Sequence, residues 1–207
     1  MSSDALVDFR WGWDEEIFRA INGLGWDWLD ALFAAASSRP LGLLAALAML
    51  GWIVAVHKRG SVLALAQAAA AVGLADSIGS RLLKPTIGRM RPSFALPEHV
   101  VRVISPAANV GSMPSLHSAN AFALATVVTL AVPRAGLVAL PLATLIAVSR
   151  VGVGVHWPSD VLVGAVYGAA VGAGVVFVSR ALLKRVRGSA LPATQPQAEA
   201  QQPDRPA

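Results

Sequence analysis

Long apolar runs, separated by short polar or charged segments, dominate the pattern of the chain. A membrane-spanning helix needs about 17–25 mostly apolar residues, and five runs approach or reach that length. They cover residues 41–56, 61–83, 115–132, 137–148 and 161–183. The fourth run is short and contains Pro141, which predicts a kink. The predicted fold class is therefore all-α, a polytopic membrane helical bundle with about five spans.

The first 40 residues follow a different pattern, in which aromatic and acidic side chains alternate. Tryptophans beside carboxylates are typical of the headgroup region, so this segment is predicted to form one or two interfacial amphipathic helices. The alternative is a sixth span over residues 17–37. It is disfavoured because Arg19, Asp27 and Asp30 would each cost ~2.5–3.5 kcal/mol at the bilayer centre. The tryptophans concerned are Trp11, Trp13, Trp26 and Trp28.

Three segments follow from these patterns. Residues 1–40 form the interfacial region, residues 41–187 the membrane-embedded domain, and residues 188–207 a tail. The tail is rich in proline and glutamine and is predicted to be disordered. No basic segment followed by a cleavage site is recognisable at the N-terminus, so no removable signal peptide is expected.

Composition supports the membrane assignment and excludes several function classes. Of the 207 residues 55% are apolar and only 14% charged, against about 25% charged in a typical soluble protein. The absence of cysteine excludes disulfides and thiolate metal sites. The net charge of +5 comes mostly from Lys and Arg at the ends of apolar runs. That placement indicates membrane topology, and no nucleic-acid partner is expected.

The distribution of charge predicts an orientation in the cell inner (plasma) membrane. Basic residues, among them Lys58, Arg59, Arg134 and Lys184, follow the first, third and fifth runs, whereas residues 1–40 hold seven acids and three bases. By the positive-inside rule, the basic ends and the C-terminal tail are cytoplasmic. The segments 84–113 and 150–158 then face outward.

One face of the last run carries only small residues. Gly164, Gly168 and Gly172 recur every four residues, a spacing that lets another helix approach closely. The neighbour is either another span of the same chain or a second subunit, which leaves a homo-oligomer through this face possible.

The two outward segments contain most of the polar residues that the membrane pattern leaves unexplained. Each ends in a proline-led helix start, at Pro114 and at Pro158. Helix N-termini that converge with several cations form an anion site, most naturally for phosphate. The cations and other candidate ligands are Lys84, Arg89, Arg91, Arg102, Arg150 and Ser115.

Two histidines in these segments suggest a reaction. Asp160 follows His156 by four residues, so its carboxylate can accept a hydrogen bond from one ring nitrogen and leave the other nucleophilic. His117 could act as a general acid toward a leaving oxygen. The less specific interpretation is an interfacial polar pair.

Four further residues have alternative interpretations. Arg89 and Arg102 either balance charge or contact lipid. Asp76, inside the second run, is interpreted as a structural partner for nearby cations rather than a catalytic group. Trp157 is interpreted as an interface anchor.

The motifs between Lys84 and Asp160 resemble the three signatures of the type 2 phosphatidic acid phosphatase superfamily, which includes the vanadium haloperoxidases. The matching elements are Lys84-x6-Arg91-Pro92, Pro114-Ser115-Leu116-His117 and Ser149-Arg150-x5-His156-x3-Asp160. They occur in the family's order, and the flanking spans fit the family's helical bundle.

The resemblance implies a role for each matched position. His156 corresponds to the nucleophile that forms a phosphohistidine, Asp160 to the residue that orients it, and His117 to the general acid. Leu116 stands where the family usually has glycine; its backbone N–H is retained, but a positive φ there would be strained. The family needs no metal or cofactor, and none is expected here. The implied phosphate-binding residues are Lys84, Arg91, Arg150, Ser115 and Leu116.

The leading hypothesis is a membrane phosphatase that acts on a lipid phosphate or diphosphate. The run Ser118-Ala119-Asn120-Ala121-Phe122 resembles the run that follows the second motif in the bacterial undecaprenyl diphosphate phosphatases. This resemblance favours undecaprenyl diphosphate as the substrate. Phosphatidylglycerophosphate, phosphatidate and lipid A phosphates are alternative substrates. A hypothesis of another class is a non-catalytic membrane protein that binds or transports anions.

Overall fold

The computed structural model describes residues 6–57, 60–106 and 110–189, and this part of the chain is helical, as predicted. The described residues contain two isolated β-bridges and no longer strand. The all-α fold class is therefore confirmed. The helices are α1 (Gly12–Asn22), α2 (Asp27–Ser37), α3 (Arg39–His57), α4 (Ser61–Ile78), α5 (Lys84–Ile87), α6 (Pro92–Ala95), α7 (Leu116–Ala131), α8 (Gly136–Gly152) and α9 (Pro158–Ser189).

Four helical stretches among the described residues are long and apolar enough to cross a membrane: Arg39–Val56, Ser61–Ile87, Pro133–Gly152 and Pro158–Val186. They contain the predicted runs 41–56, 61–83, 137–148 and 161–183. The remaining predicted run forms α7, which has 16 residues and is therefore about 24 Å long. It lies inside the bundle, against α4, α8 and α9.

The N-terminal region forms two short helices instead of one long one. Helix α1 ends at Asn22, and Gly25 adopts a left-handed φ of 65° before α2 begins. Each helix has 11 residues and is about 16 Å long, too short to cross a hydrocarbon core of about 30 Å. The structure therefore contains no continuous helix over residues 17–37.

The last span is helical beyond its predicted boundary, because α9 extends from Pro158 to Ser189. The predicted disordered tail, residues 188–207, lies almost entirely outside the described residues.

Helices α7 and α9 approach each other through the glycine face predicted from the sequence. An added Cβ at Gly168 would lie 2.0 Å from the carbonyl oxygen of Ala119, and one at Gly164 would lie 2.5 Å from that of Ser115. A side chain at either position would therefore collide with the backbone of α7. The neighbour of this face is therefore α7 of the same chain, the first of the two alternatives, and the face is not available to a second subunit.

This close contact holds the start of α7 against the start of α9. The backbone N–H of Ser115 donates to the carbonyl oxygen of Asp160 at 3.0 Å, and the Ser118 hydroxyl donates to the carbonyl oxygen of Val161 at 2.8 Å. The second and third sequence motifs therefore lie side by side at one end of the bundle.

Trp157 does not lie at a surface, contrary to its interpretation as an interface anchor. Its side chain is fully buried against Phe18 of α1, with ring centroids 5.4 Å apart. Its indole N–H donates to the carbonyl oxygen of Met90 at 2.9 Å. Trp157 thus packs α1 and the first motif against the start of α9.

Candidate active site

One cavity of about 600 Å³ opens at the end of the bundle where the three motifs meet. Its polar end is lined by both motif histidines and by three motif cations, each supplied by a different segment of the chain. The polar lining includes Lys84, Arg91, His117, Arg150 and His156. The structure therefore brings these five residues, which the motifs had singled out, together in one cavity.

His156 lies in the turn between α8 and α9 and is 2% exposed. Its Nδ1 is 3.3 Å from Asp160 Oδ2, and its Nε2 is 2.9 Å from Arg91 Nη1. Because a guanidinium can only donate, Nε2 accepts this hydrogen bond with its lone pair. Nδ1 then holds the ring proton and donates it to Asp160.

The surroundings of His156 favour its neutral form. Burial lowers the pKa of His156 well below the usual value of 6.5, and the nearby charges of Arg91, Lys84 and Arg150 lower that pKa further. A neutral imidazole with one oriented lone pair is the form required of a nucleophile.

Asp160, in the first turn of α9, accepts hydrogen bonds on both carboxylate oxygens. Oδ2 receives the backbone N–H of Trp157 at 2.8 Å, the Ser112 hydroxyl and His156 Nδ1. Oδ1 receives Arg89 Nη1 at 2.7 Å. These contacts engage both oxygens and hold the carboxylate in one orientation.

Two of the cations that line the cavity donate hydrogen bonds to oxygens that do not line it. Lys84 Nζ donates to the carbonyl oxygen of Gly111 at 2.8 Å, and Arg150 Nη1 donates to the Ser37 hydroxyl at the end of α2. Neither cation forms an ion pair with a carboxylate in the described part of the chain. Their charge is thus available for an anion.

Arg91 faces the cavity from the start of α6. Its Nη1 also donates to the carbonyl oxygen of Val155 at 2.8 Å. Burial lowers the pKa of Arg91 to about 10, while the charge of Asp160 acts in the opposite direction. Arg91 therefore remains a cation at neutral pH.

Two buried polar atoms of the motif residues have no hydrogen-bond partner, namely Ser115 Oγ and Arg150 Nε. A buried polar group without a partner costs about 1–3 kcal/mol, so such groups indicate where a ligand belongs. Ser115 is the N-cap residue of α7, where a phosphate would also meet free backbone N–H groups.

Leu116 does not strain the second motif. It is the first residue of α7, so its backbone has helical angles and a negative φ. Its side chain points toward Gly79, where an added Cβ would lie 2.6 Å from Leu116 Cδ2. The missing side chain at Gly79 thus makes room for leucine at a position where the family usually has glycine.

Below its polar end the cavity is apolar. Helices α3, α7 and α8 line it there with aliphatic side chains, including Leu43, Met49, Leu124, Leu142 and Ile146. A hydrocarbon chain could occupy this part while its phosphate lies among the cations.

Asp76 lines the same cavity, but its polar contact differs from the predicted one. Its Oδ1 accepts a hydrogen bond from Asn120 Nδ2 at 3.0 Å. The structure shows no ion pair from Asp76 to a cation within the described residues. No group of three or more His, Asp or Glu side chains that could hold a metal ion occurs in those residues either.

The two arginines whose role the sequence analysis left open both bind acidic residues of the N-terminal region. Arg102 forms an ion pair with Asp30 of α2, and Arg89 forms one with Asp14 of α1, Nη2 to Oδ2 at 2.5 Å. Sequence reasoning missed Asp14, because nothing in the local pattern links an acid in α1 to a motif 75 residues away. Only the abundance of acids and tryptophans in residues 1–40 hinted at a special role.

Comparison with known structures supports the fold. Aquifex aeolicus LpxE has a TM-score of 0.66 and 26% identity, over 83% of this chain and 98% of that chain. A transmembrane PAP2-type phosphatidylglycerolphosphate phosphatase from Bacillus subtilis has a TM-score of 0.60 and 24% identity, over 81% and 84% of the two chains.

Curated protein sequences contain no match. The family model of the PAP2 superfamily, however, matches residues 61–184, more than half of the chain, and includes all three motifs. The chain therefore belongs to the PAP2 superfamily, the family that its three motifs resemble.

Proposed function

We propose that the protein hydrolyses a lipid phosphate or diphosphate through a phosphohistidine intermediate on His156. The observation that carries this proposal is the position of His156. Asp160 binds Nδ1 of the ring, while Nε2 accepts from Arg91 in a cavity that is also lined by Lys84, Arg150 and His117.

The first step is phosphoryl transfer. Lys84, Arg91 and Arg150 bind the phosphoryl oxygens together with the Ser115 hydroxyl. As Arg91 transfers its hydrogen bond from Nε2 to a phosphoryl oxygen, His156 Nε2 attacks phosphorus with the released lone pair, and the bond from phosphorus to the leaving oxygen breaks. His117 gives its proton to that oxygen. Asp160 supports the positive charge that develops on the His156 ring.

The second step releases phosphate. A water molecule gives a proton to His117 and attacks the phosphorus of phosphohistidine. The bond between phosphorus and Nε2 breaks, and inorganic phosphate and free His156 result. No metal or cofactor takes part, because side-chain cations supply all the positive charge.

Among lipid substrates we propose undecaprenyl diphosphate, which would yield undecaprenyl phosphate. Support comes from the sequence after the second motif and from the aliphatic end of the cavity. Phosphatidylglycerophosphate, phosphatidate and lipid A phosphates are the alternatives. The proposed location is the inner (plasma) membrane, with the site on its outer face.

The test is phosphate release by purified protein in detergent with EDTA present, assayed on these four lipids. We expect release from at least one lipid, fastest from undecaprenyl diphosphate, and none from His156→Ala. Faster hydrolysis of another lipid would change the substrate assignment. Binding of phosphate without any hydrolysis would instead indicate the non-catalytic anion-binding function.

A further inference from the structure

The N-terminal segment reaches the catalytic carboxylate through one fully buried arginine. Arg89 is 0% exposed and donates Nη1 to Asp160 Oδ1 at 2.7 Å and Nη2 to Asp14 Oδ2 at 2.5 Å. Its Nε donates to the carbonyl oxygen of Phe9 at 3.0 Å. Asp14 and Phe9 lie outside the region that matches the family.

Asp14 also binds the start of α9 directly. Its Oδ1 accepts the backbone N–H of Ser159 at 2.9 Å, and its Oδ2 accepts the Ser159 hydroxyl at 2.6 Å. Asp14 therefore caps, from a distant helix, one of the free N–H groups at the start of α9. Asp160 is the next residue in that turn, so the same contacts set its position.

Aromatic rings exclude water from this network. The guanidinium carbon of Arg89 lies 4.9 Å from the ring centroid of Phe9, 5.3 Å from that of Trp11 and 5.5 Å from that of Trp157. The backbone of Val7 also pairs with Gly88 and Met90 on either side of Arg89. Electrostatic interactions are stronger in such a dry site than at a surface.

The net charge of Asp14, Arg89 and Asp160 has a consequence for catalysis. Two carboxylates share one guanidinium, so the group keeps one net negative charge. Without Asp14, Arg89 would neutralise Asp160 alone. With Asp14, Asp160 retains negative charge to stabilise the imidazolium formed when His156 becomes phosphorylated.

From this geometry we infer that Asp14 and Arg89 are positioning residues for phosphoryl transfer, acting on His156 through Asp160. The N-terminal segment is then part of the catalytic apparatus as well as a contact with the membrane. The inference rests on the proposed phosphatase function.

The test compares Asp14→Asn with Glu16→Gln, using 4-nitrophenyl phosphate in detergent. The first change keeps the shape of the side chain and removes its charge. The second removes a charge from an exposed side chain on the same helix. Loss of a partner that orients a metal-bound histidine typically costs about 10–100-fold, and Asp14 acts on His156 in a comparably indirect way. We expect Asp14→Asn to lower kcat by about that factor with KM near the wild-type value, and Glu16→Gln to behave as wild type.

Coupling to Asp160 separates a positioning role from a general effect on folding. Adding Asp14→Asn to Asp160→Asn should cause little further loss, because both changes interrupt one chain of contacts. Fully multiplicative losses would overturn the inference, and so would a wild-type kcat in Asp14→Asn. Inactive wild-type protein would instead contradict the proposed function itself.

A second variant covers the case in which Asp14→Asn does not fold. Arg89→Lys keeps the positive charge, but an ammonium cannot reach both carboxylates as the guanidinium does. Lower kcat with unchanged KM is again expected. If neither variant folds, the network serves stability alone and the inference is wrong.

Discussion

At the scale of single residues, the two histidines of the cavity differ in what holds them. His156 has a carboxylate on Nδ1, whereas His117 stands at the start of α7 beside Ser115, the proposed phosphate ligand. The first arrangement suits a group that becomes positively charged, and the second suits a group that delivers a proton. The division of labour between them can be measured.

Substitution of the general acid should depend on the leaving group. His117→Ala should slow hydrolysis of an alkyl phosphate far more than that of an aryl phosphate, since an aryl oxide leaves without needing a proton. Undecaprenyl diphosphate should fall between the two. The measurement is the ratio of alkyl to aryl activity in wild type and variant. An unchanged ratio would mean that His117 is not the acid.

The pH dependence should reflect the environment of His156. Only its neutral form attacks, and burial and neighbouring cations lower its pKa well below 6.5. As the pH falls through 6.5, kcat/KM should therefore show no loss from His156 protonation; that loss comes at lower pH. Arg91 is the neighbouring charge that lowers the pKa of His156 most. The acid limb of the pH profile should therefore lie at higher pH in Arg91→Gln than in wild type. A limb that moves to lower pH would contradict this account.

The sequence revealed only part of the site. The interval of four residues between His156 and Asp160 is a local signal, and the turn that leads into α9 brings the two side chains together. The cations Lys84, Arg91 and Arg150 come from separate segments, and the motif order identified them. The Asp14–Arg89 pair has no local signal, because it exists only once α1 packs against the start of α9.

At the scale of helices, the contact between α7 and α9 determines the geometry of the site. It aligns the second motif with the third through backbone contacts that no side chain interrupts. The apolar runs predicted these helices because length and composition decide whether a helix can span. The break at Gly25 between α1 and α2 could not be placed in the same way, since the local pattern is compatible with one longer helix.

The α7–α9 contact gives a stability prediction with an internal control. Gly168→Ala places a methyl group against the Ala119 carbonyl and should destabilise the protein by about 1–3 kcal/mol, as overpacking does. Gly174 lies on the same helix with nothing within 4 Å of an added Cβ. Gly174→Ala should be neutral or slightly stabilising. Thermal unfolding in detergent measures both, and equal effects would contradict this packing.

At the scale of the whole molecule, every motif lies at one end of the bundle. Helices α4 and α8 end there, and α7 and α9 begin there, so the charges at their opposite ends decide which side the site faces. Those opposite ends carry Arg134 and Lys184 without nearby acids. The positive-inside rule predicts that these ends are cytoplasmic and that the site faces outward.

Reporter fusions and site-directed labels test this orientation. A reporter fused to the C-terminal tail should behave as cytoplasmic, and a label near residue 5 should react from outside the cell. The break between α1 and α2 predicts this result, because neither helix is long enough to cross. If both ends report the cytoplasm, the N-terminal region crosses the membrane.

In the proposed mechanism His156 carries the phosphoryl group. The most direct measurement is a rapid quench of the enzyme with ³²P-labelled substrate under alkaline conditions, followed by peptide mapping. The account predicts label on the peptide containing His156, stable to base and labile to acid, and absent from His156→Ala. Label on His117, or continued turnover of His156→Ala, would contradict it.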